Sequence, residues 1–439
     1  MKVMKFGGTS VGSAQRIKNV ASLISGAGCN VVVLSAMSGT TNTLVEIAGY
    51  LHNRNVEGAR DTISRIKAKY AAEIDALYST EEYKDKAKKY VDDVFAYIGS
   101  FTRQLFTQVE EKIILAQGEI MSTYMMTCYL QEQGVNAVLI PALDYMRLDF
   151  NGEPDLDFIR EKLSAMLAEH GDAALFITQG YICRNCRDEI DNLQRGGSDY
   201  TASLVGAALE AEEIEIWTDI DGMHNNDPRI VDNTSAVRHL HFDEAAELAY
   251  FGAKILHPTC IQPAKFANVP VRLLNTMDPS APGTVIDNKP EPGTIKAVAA
   301  KDNIAVIRIK SSRMLLAYGF LRKVFEIFES YQTSIDMICT SEVGVSITID
   351  NTRYLNEIVH DLKKYGSVSV DLDMCIICVV GDMDWQNVGF ESRATEALKD
   401  IPVRMVSFGG SNYNISFLVR EEDKKRALRS LSKCLFENA

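Results

Sequence analysis

The sequence has no long hydrophobic run and no excess of positive charge. No apolar run reaches the roughly 18 residues that a membrane-spanning helix needs, and the first residues contain no signal-peptide h-region. The 46 lysines and arginines face 59 aspartates and glutamates, which gives a net charge of −13. That balance argues against nucleic acid or an anionic membrane as a main partner. We therefore expect a cytoplasmic protein that binds neither.

The sequence also lacks a cysteine framework. Its nine cysteines are an odd number scattered over 439 residues, which suits reduced thiols better than disulfides. Cys375 and Cys378 lie in a strand-like run, where their odd offset points them to opposite faces. Cys183 and Cys186 lie in a polar loop with no second pair or histidine nearby, so we expect free thiols and no protein-built metal site. The role of this second pair is left open.

Apolar strands alternate with helical segments in the first part of the chain. Residues from about 43 to 133 form a long helical region, rich in Ala, Glu, Lys and Leu. This alternation predicts an α/β fold, a three-layer α/β/α domain with a mostly parallel central sheet, whose ligands bind at the carboxyl ends of the strands. The predicted strands are Val31–Ser35, Ala137–Ile140, Ala174–Thr178 and Ile214–Thr218.

A proline-rich segment, 278–293, marks a domain boundary, because the pattern of predicted strands and helices changes after it. Beyond it, shorter strands and helices follow one another as two copies of a β-α-β-β-α-like unit. This weak internal repeat predicts α+β, ferredoxin-like modules. We place the first domain at 1–290 and the second region at 297–439.

A glycine-rich block, Lys5–Ser10, begins at the end of the predicted strand Lys2–Phe6 and precedes a helix that starts at Ala14. A strand, a glycine turn and a helix N-terminus together can present backbone N–H groups to a phosphate, and a lysine adds a full positive charge. The block is not a Walker A loop, because Ser13 stands where that loop has its lysine. Taken alone, a Gly-Gly pair after a strand is more often an ordinary turn than a phosphate site.

Two further blocks have both a functional and a plain interpretation. Arg195–Thr201 places an arginine fork, suited to a carboxylate or phosphate, at a predicted helix N-terminus, although a solvated loop with a capping residue explains it equally well. Glu119 lies near the start of an apolar helical stretch. It could pair with a substrate ammonium or simply cap the helix.

The segments Trp217–Arg229 and Phe251–Pro258 add carboxylates, an arginine and Lys254, but their Asp-Gly and Asp-Pro pairs are also normal turn chemistry. Together the blocks supply cations for anions, glycine turns for phosphate oxygens, and carboxylates for cations. No Ser-His-Asp, H-E-x-x-H or Cys-His arrangement is evident. Phosphoryl transfer needs mainly positioning and charge stabilisation, which this set supplies.

In this order the blocks resemble the aspartate kinases of the amino-acid kinase family, along essentially the whole chain. The C-terminal pair resembles tandem ACT domains of the monofunctional, lysine-sensitive class, with the first, about 311–372, inserted in the second, about 297–310 plus 373–439. The matching blocks are Lys5–Val11, Val33–Ala36, Thr41–Asn42, Gly118–Ser122, Ile177–Gly180, Arg195–Thr201, Trp217–Asp219 and Phe251–Pro258.

The resemblance implies ATP-dependent phosphorylation of the L-aspartate side chain to 4-phospho-L-aspartate, the first step of the lysine, threonine and methionine (diaminopimelate) pathway, with Mg²⁺ bridging the phosphates. It implies catalytic roles for Lys5 and Asp199. The ATP positions are Lys5, Phe6, Gly7, Gly8, Thr9, Thr218, Asp219, His224, Arg229 and Lys254, and the substrate positions are Ser35, Thr41, Glu119, Arg195, Gly196, Gly197 and Ser198.

The resemblance also implies feedback regulation by an amino acid, for which we expect lysine, and a homodimer through the ACT domains, with a tetramer as an alternative. The two acidic residues among the expected effector positions, which are listed below, could also be ordinary solvated charges of a loop. Departures from the family pattern are His224 in place of an adenine-site tyrosine, Ala317 in place of a serine, and the loop Arg184–Asn192. The expected effector positions are Met314, Phe320, Leu321, Ser334, Ile335, Asp336, Ser341 and Glu342.

Three other functions compete with this one. A kinase of the same fold could act on glutamate, acetylglutamate or a nucleoside monophosphate, but such kinases lack this C-terminal pair. A catalytically inactive amino-acid sensor would not need Lys5, Arg195 and Asp199 together. A fused homoserine dehydrogenase is not expected, since the chain ends just after the second module.

Overall fold

The computed structural model describes every residue except 27, 29, 194–195, 253–256, 315–317 and 438–439. Three positions singled out in the sequence, Arg195, Lys254 and Ala317, therefore lie outside the described residues. The strands are β1 Val3–Phe6, β2 Asn30–Leu34, β3 Ala137–Leu139, β4 Leu175–Gln179, β5 Ile182–Arg184, β6 Ile190–Asn192, β7 Ile214–Thr218, β8 His239–His241, β9 Val271–Asn275, β10 Thr284–Asp287, β11 Ile295–Lys310, β12 Ile338–Ser341, β13 Gly344–Ile349, β14 Ser367–Gly381, β15 Met405–Phe408 and β16 Asn414–Arg420.

Fourteen α-helices lie in the described part of the chain, and the long helical region predicted for 43–133 is confirmed as the second to fifth of them. The helices are α1 Ala14–Ser25, α2 Thr40–His52, α3 Val56–Leu77, α4 Glu81–Ser100, α5 Gln108–Glu132, α6 Ala142–Tyr145, α7 Leu156–Glu169, α8 Gly197–Ala208, α9 Phe242–Tyr250, α10 Pro258–Phe266, α11 Phe320–Ser330, α12 Leu355–Leu362, α13 Phe390–Ala397 and α14 Lys424–Ser432.

The chain divides into two units. The N-terminal unit is Met1–Met223 with Leu256–Asn288, and the C-terminal unit is His224–Ile255 with Lys289–Ala439. The segment from residue 224 thus groups with the C-terminal unit, although the sequence assigned it to the first domain. The backbone N–H of Val298 donates to the Asn225 carbonyl, and the Asn226 side chain donates to the Leu428 carbonyl. The predicted domain limits stay a prediction.

The sheet of the N-terminal unit confirms the expected mostly parallel arrangement. Its strands lie in the order β3-β4-β2-β1-β7-β9-β10, and only β10 pairs antiparallel with its neighbour. All five residues of β2 are buried, as expected of a strand covered on both faces. On one face Met4 and Phe6 pack into a cluster with residues of α1 to α5, and α8 contacts β1, β2 and β7.

The register of this sheet brings several strand ends to one level. Phe6 at the end of β1 pairs with Leu34 of β2 and Trp217 of β7, and Leu34 pairs with Gln179 of β4. The segments that follow these strands therefore emerge at one edge of the sheet, which is where ligands bind in such folds.

The C-terminal unit contains a six-stranded antiparallel sheet in the order β12-β13-β11-β14-β16-β15. Strands β11 and β14 are long and pair with each other along their length, with irregular register between Lys301 and Val306. Two separate apolar clusters lie along this pair. One includes Ile307 and Val324, and the other includes Ile377 and Phe417, as expected of two α+β modules. No helix in the described part of the chain is long and apolar enough to cross a membrane.

Ile377 tests the second cluster, because its side chain is fully buried on β14. We expect Ile377→Ala to lower the free energy of unfolding of this unit by about 2–5 kcal/mol through lost burial and a residual cavity. The measurement is urea unfolding followed by Trp385 fluorescence in a Trp217→Phe background, since the chain has only two tryptophans. The control is Val388→Ala, at a 93% exposed position, with an expected change within about 0.5 kcal/mol. Equal losses in both variants would contradict the packing described.

Candidate active site

Lys5 and Asp199 form an ion pair at the shared edge of the sheet. Lys5 lies on β1, Asp199 lies in the first turn of α8, and Nζ is 2.6 Å from Oδ1. Only 12% and 17% of the two side chains are exposed. The structure thus brings the two predicted catalytic residues together, and a Cβ added to Gly7 would lie 3.4 Å from the lysine Nζ.

The glycine turn after β1 packs tightly against the loop that follows β2. A Cβ on Gly8 would lie 2.9 Å from the Ala36 carbonyl oxygen, and one on Gly12 would lie 2.8 Å from Cβ of Ser38. Contacts under 3.0 Å would force the backbone to move, so close packing of two loops explains these glycines directly.

The N-terminus of α1 differs from the sequence expectation. We expected it to help present N–H groups to a phosphate, but the Ala14 N–H donates to the Glu73 carboxylate over 2.6 Å, and the Ser13 side chain accepts from the Arg16 N–H. A carboxylate is stabilised at a helix N-terminus by its partial positive charge. The protein's own acid therefore takes this position, and any phosphate contact in this region falls to the glycine turn and Lys5.

A cavity of about 460 Å³ opens at the same edge of the sheet. It brings together four of the predicted substrate residues with two of the predicted ATP residues. The Ser35 hydroxyl donates to that of Ser198 over 2.9 Å, which ties the end of β2 to the start of α8. The predicted residues that line the cavity are Gly8, Thr9, Ser35, Thr41, Glu119 and Ser198.

Glu119 is the chemically distinctive residue of this cavity. Its side chain is buried on α5, one oxygen accepts the Ala36 N–H at 3.2 Å, and the other has no hydrogen-bond partner among the described residues. Burial raises the pKa of Glu119 to about 8, despite the opposing backbone hydrogen bond from Ala36. A buried carboxylate with one free oxygen is well suited to an ammonium ligand. Helix capping, the simpler interpretation, does not apply because the residue lies well inside α5.

Tyr181 was missed in the sequence and also lines the cavity. Its φ of +70° is unusual for a bulky residue, and its backbone N–H donates to the Thr201 hydroxyl. Its ring lies against Gly197, where a Cβ would approach it to 2.6 Å. The only signal in the sequence is that Tyr181 follows the end of a predicted strand.

The other glycine of this block, Gly196, precedes α8 with φ of +85°, and a Cβ there would collide with Sγ of Cys260. The pair Gly196 and Gly197 therefore allows α8 to start close to two neighbouring elements. Arg195, the predicted carboxylate fork, lies outside the described residues.

The predicted nucleotide residues fall into both units. Thr218 ends β7 and donates to Asp219 over 3.2 Å in the N-terminal unit. In the C-terminal unit, Nδ1 of His224 lies 2.9 Å from the Thr234 hydroxyl oxygen. Arg229, 82% exposed, binds the Asp227 carboxylate through Nε at 3.0 Å and a terminal nitrogen at 2.8 Å.

The predicted effector residues share part of the first C-terminal module. Met314, Phe320, Leu321 and Ile335 pack into one apolar cluster. Ser334, Ser341 and Glu342 are exposed, at the loop after α11 and the turn between β12 and β13.

Asp336 differs from a solvated loop acid, because its side chain is fully buried. Its Oδ1 accepts from Lys301 at 2.7 Å and from the Tyr250 hydroxyl at 2.9 Å. Lys301 also pairs with Asp350 at 2.9 Å and lies 4.3 Å from the centre of the Tyr250 ring. Burial raises the pKa of Asp336, and the hydrogen bond from Lys301 partly opposes that rise. Neither Lys301 nor Tyr250 was singled out in the sequence.

The amino acid kinase family profile matches residues 1–275, and an ACT domain profile matches residues 377–435. The chain is 32% identical to lysine-sensitive aspartokinase 3 of Escherichia coli over 99% of both chains. The crystal structure of E. coli aspartokinase III with aspartate and ADP has a TM-score of 0.83, with 30% identity over 99% of this chain and 100% of that one. The complex of that enzyme with lysine and aspartate has a TM-score of 0.80, with 31% identity over 99% of each chain.

The profile match covers more than half of the chain, and full-length similarity links both units to one kind of enzyme. The α/β sheet of the N-terminal unit and the α+β modules of the C-terminal unit thus belong to a known architecture. The chain belongs to the amino acid kinase family and, within it, to the aspartokinases.

Proposed function

We propose that this chain transfers the γ-phosphoryl group of ATP to the side-chain carboxylate of L-aspartate and so forms 4-phospho-L-aspartate. The observation that carries the proposal is the free buried oxygen of Glu119 in the strand-end cavity, which matches the α-ammonium of an amino acid. The similar E. coli enzyme in complex with aspartate and ADP supports this choice of substrates.

The proposed reaction needs no general base, because the nucleophile is already an ionised carboxylate. This chemistry agrees with the described residues that line the cavity, among which there is no histidine. Lys5 stabilises negative charge on the transferred group, and Asp199 holds the lysine side chain at the edge of the sheet. Arg195, whose placement is not described, remains our proposed partner for the α-carboxylate, and Ser35, Thr41 and Ser198 contribute hydroxyl groups.

Mg²⁺ is expected to arrive with the nucleotide. Within the described ranges no group of three His, Cys, Asp or Glu side chains could hold a metal ion. Kinase sites commonly hold Mg²⁺ through one or two carboxylates and the substrate phosphates, and Asp199 and Asp219 are the candidate carboxylates here. When bound, the ion would neutralise charge on the phosphate oxygens.

We further propose that free lysine inhibits the enzyme from the first C-terminal module, as the name of the lysine-sensitive E. coli relative suggests. The apolar cluster of Met314, Leu321 and Ile335 could accept the methylene chain, and Glu342 is exposed and available to an ammonium group. Asp336 already binds Lys301, so an effector ammonium would have to use its second oxygen or displace that lysine. A homodimer through the ACT domains, the biosynthetic pathway and a cytoplasmic location also stay predictions.

We expect Lys5→Ala to lower kcat about 100-fold or more, roughly 3 kcal/mol, because one preorganised charge on the transition state is lost. KM for ATP should change less. The control is Lys2→Ala, since Lys2 precedes the same strand and pairs with Glu213 and Glu215. Its kcat should stay within about twofold of wild type. Near-normal turnover of the Lys5 variant would contradict the assignment. Acetylglutamate, glutamate and UMP serve as alternative acceptors in the same assay.

The raised pKa of Glu119 predicts the pH dependence of aspartate capture. The buried acid is protonated below about pH 8 and binds an ammonium only when ionised, so kcat/KM for aspartate should rise with pH to about 8 and then level off. The same burial disfavours the charged form, so the contribution of this group to stability should fall as pH rises from about 4.5 towards 8.

The measurement is kcat/KM for aspartate between about pH 6.5 and 9. Glu119→Gln should raise KM for aspartate about 10- to 100-fold, as expected for loss of a charge-assisted hydrogen bond, and should flatten this profile. An equally steep profile in the glutamine variant would show that another group titrates.

For the effector, Glu342→Ala should raise the lysine concentration for half-inhibition about tenfold or more, because one charged partner is removed. Turnover without lysine should stay unchanged. The control is Glu329→Ala, an exposed acid on α11 of the same module, which should leave inhibition intact. Lysine is titrated at saturating ATP with aspartate varied. Inhibition by threonine alone, or a wild type insensitive to lysine, would show that the effector differs.

A further inference from the structure

Helix α3 contacts the loops around the proposed aspartate site through three side chains on one face. Lys69, Tyr70 and Glu73 are spaced so that they share a side of the helix. Lys69 donates to the Ser38 carbonyl over 2.7 Å, and Glu73 accepts from the Ala14 N–H over 2.6 Å. The helix therefore holds both the loop after β2 and the start of α1.

Tyr70 is the buried member of this set. Its side chain is fully buried, and its hydroxyl oxygen lies 3.0 Å from the hydroxyl of Thr40, which is also buried. The ring packs edge-on against Phe95, with centroids 5.6 Å apart. Burial raises the pKa of Tyr70 above its ordinary range, and the nearby charge of Glu119 raises it further.

Thr40 lies where the loop after β2 joins α2. It is the first residue of α2, directly after Gly39, whose φ is +79°, and directly before Thr41, which lines the cavity. A Cβ on Gly118 of α5 would lie 3.2 Å from the Thr40 methyl group, so loop and helix are in close contact.

The loop is held at both of its ends. Glu119 accepts the Ala36 N–H at the first end, and Tyr70 bonds to Thr40 at the other. Between them lie Met37, Ser38 and Gly39, which line the cavity. A shift of the Thr40 end would move Thr41 relative to Glu119.

We propose that Tyr70 is a positioning residue for aspartate, whose hydroxyl fixes Thr40 and thereby sets Thr41 against Glu119 across the cavity. The inference rests on the proposed function. It assigns a role in aspartate binding to a residue that does not itself line the cavity. Loss of the bond should loosen the aspartate side of the site, since Thr40 begins the element that carries Thr41. The ATP side should change less, since the glycine turn packs against Ala36 and Ser38 of the loop and not against Thr40.

The chain supplies a matched control. Tyr78 directly follows α3, is buried, and its hydroxyl donates to the Met125 carbonyl over 2.8 Å. Tyr70→Phe and Tyr78→Phe each remove one buried hydrogen bond and keep the ring, so their effects on stability should be similar. Only the first removes a contact to the loop.

The experiment measures KM for aspartate, KM for ATP, kcat and the melting temperature for Tyr70→Phe, Tyr78→Phe, Thr40→Val and Thr40→Ser. We expect Tyr70→Phe and Thr40→Val each to raise KM for aspartate about 5- to 10-fold, with KM for ATP within twofold. The double variant should be no worse than either alone, because both remove one interaction. Thr40→Ser keeps the hydroxyl and should restore near-wild-type KM, and Tyr78→Phe should lower only the melting temperature.

Equal KM values for aspartate in Tyr70→Phe and Tyr78→Phe would overturn the inference, as would an equal rise in KM for ATP. An additive double variant would also count against a shared interaction. If the wild type fails to phosphorylate aspartate, the proposed function itself is wrong. If the wild type does so and Tyr70→Phe is unaffected, only the positioning role is wrong.

Discussion

The site depends on one constraint, the parallel register of β1, β2, β4 and β7. Parallel strands that end at one level deliver the segments after them to one edge, so residues from distant parts of the chain meet there. Lys5 reaches Asp199 and Ser35 reaches Ser198 because of this alignment. A slip of one residue would turn every side chain of a strand to the other face and separate these pairs.

Two buried carboxylates show different solutions to the cost of removing charge from water. Oδ1 of Asp336 binds the cation of Lys301 and the Tyr250 hydroxyl, although its Oδ2, like one oxygen of Glu119, has no hydrogen-bond partner among the described residues. Glu119 has only one backbone donor, so burial raises its pKa to about 8 and leaves one oxygen free. An incompletely satisfied buried acid lowers stability, and such a site is retained most readily where a ligand completes it.

The glycines of the site allow neighbouring elements to pack closely, in addition to any close approach of a phosphate to the backbone. Gly8 and Gly12 let the turn after β1 contact the loop after β2, Gly118 lets α5 approach that loop, and Gly197 accommodates the Tyr181 ring. The same close contacts hold Glu119 beside the Ala36 N–H. The geometry of the site therefore depends on how these loops pack. Helix α3 also holds the region in place, because Lys69 and Glu73 bond to the loop after β2 and to the start of α1.

The sequence by itself determined the alternation of strands and helices, the change to shorter strands and helices after about residue 290, and the residues grouped at the strand ends. Those features follow from local periodicity and from motifs within a few residues, which the chain carries independently of its folding. Only the tertiary structure decided that Glu73 occupies the start of α1, that Lys301 and Tyr250 bind Asp336, that Tyr181 lines the cavity and that Tyr70 bonds to Thr40. Each depends on elements distant in sequence, and the burial that shifts the pKa of Glu119 exists only once those elements pack together.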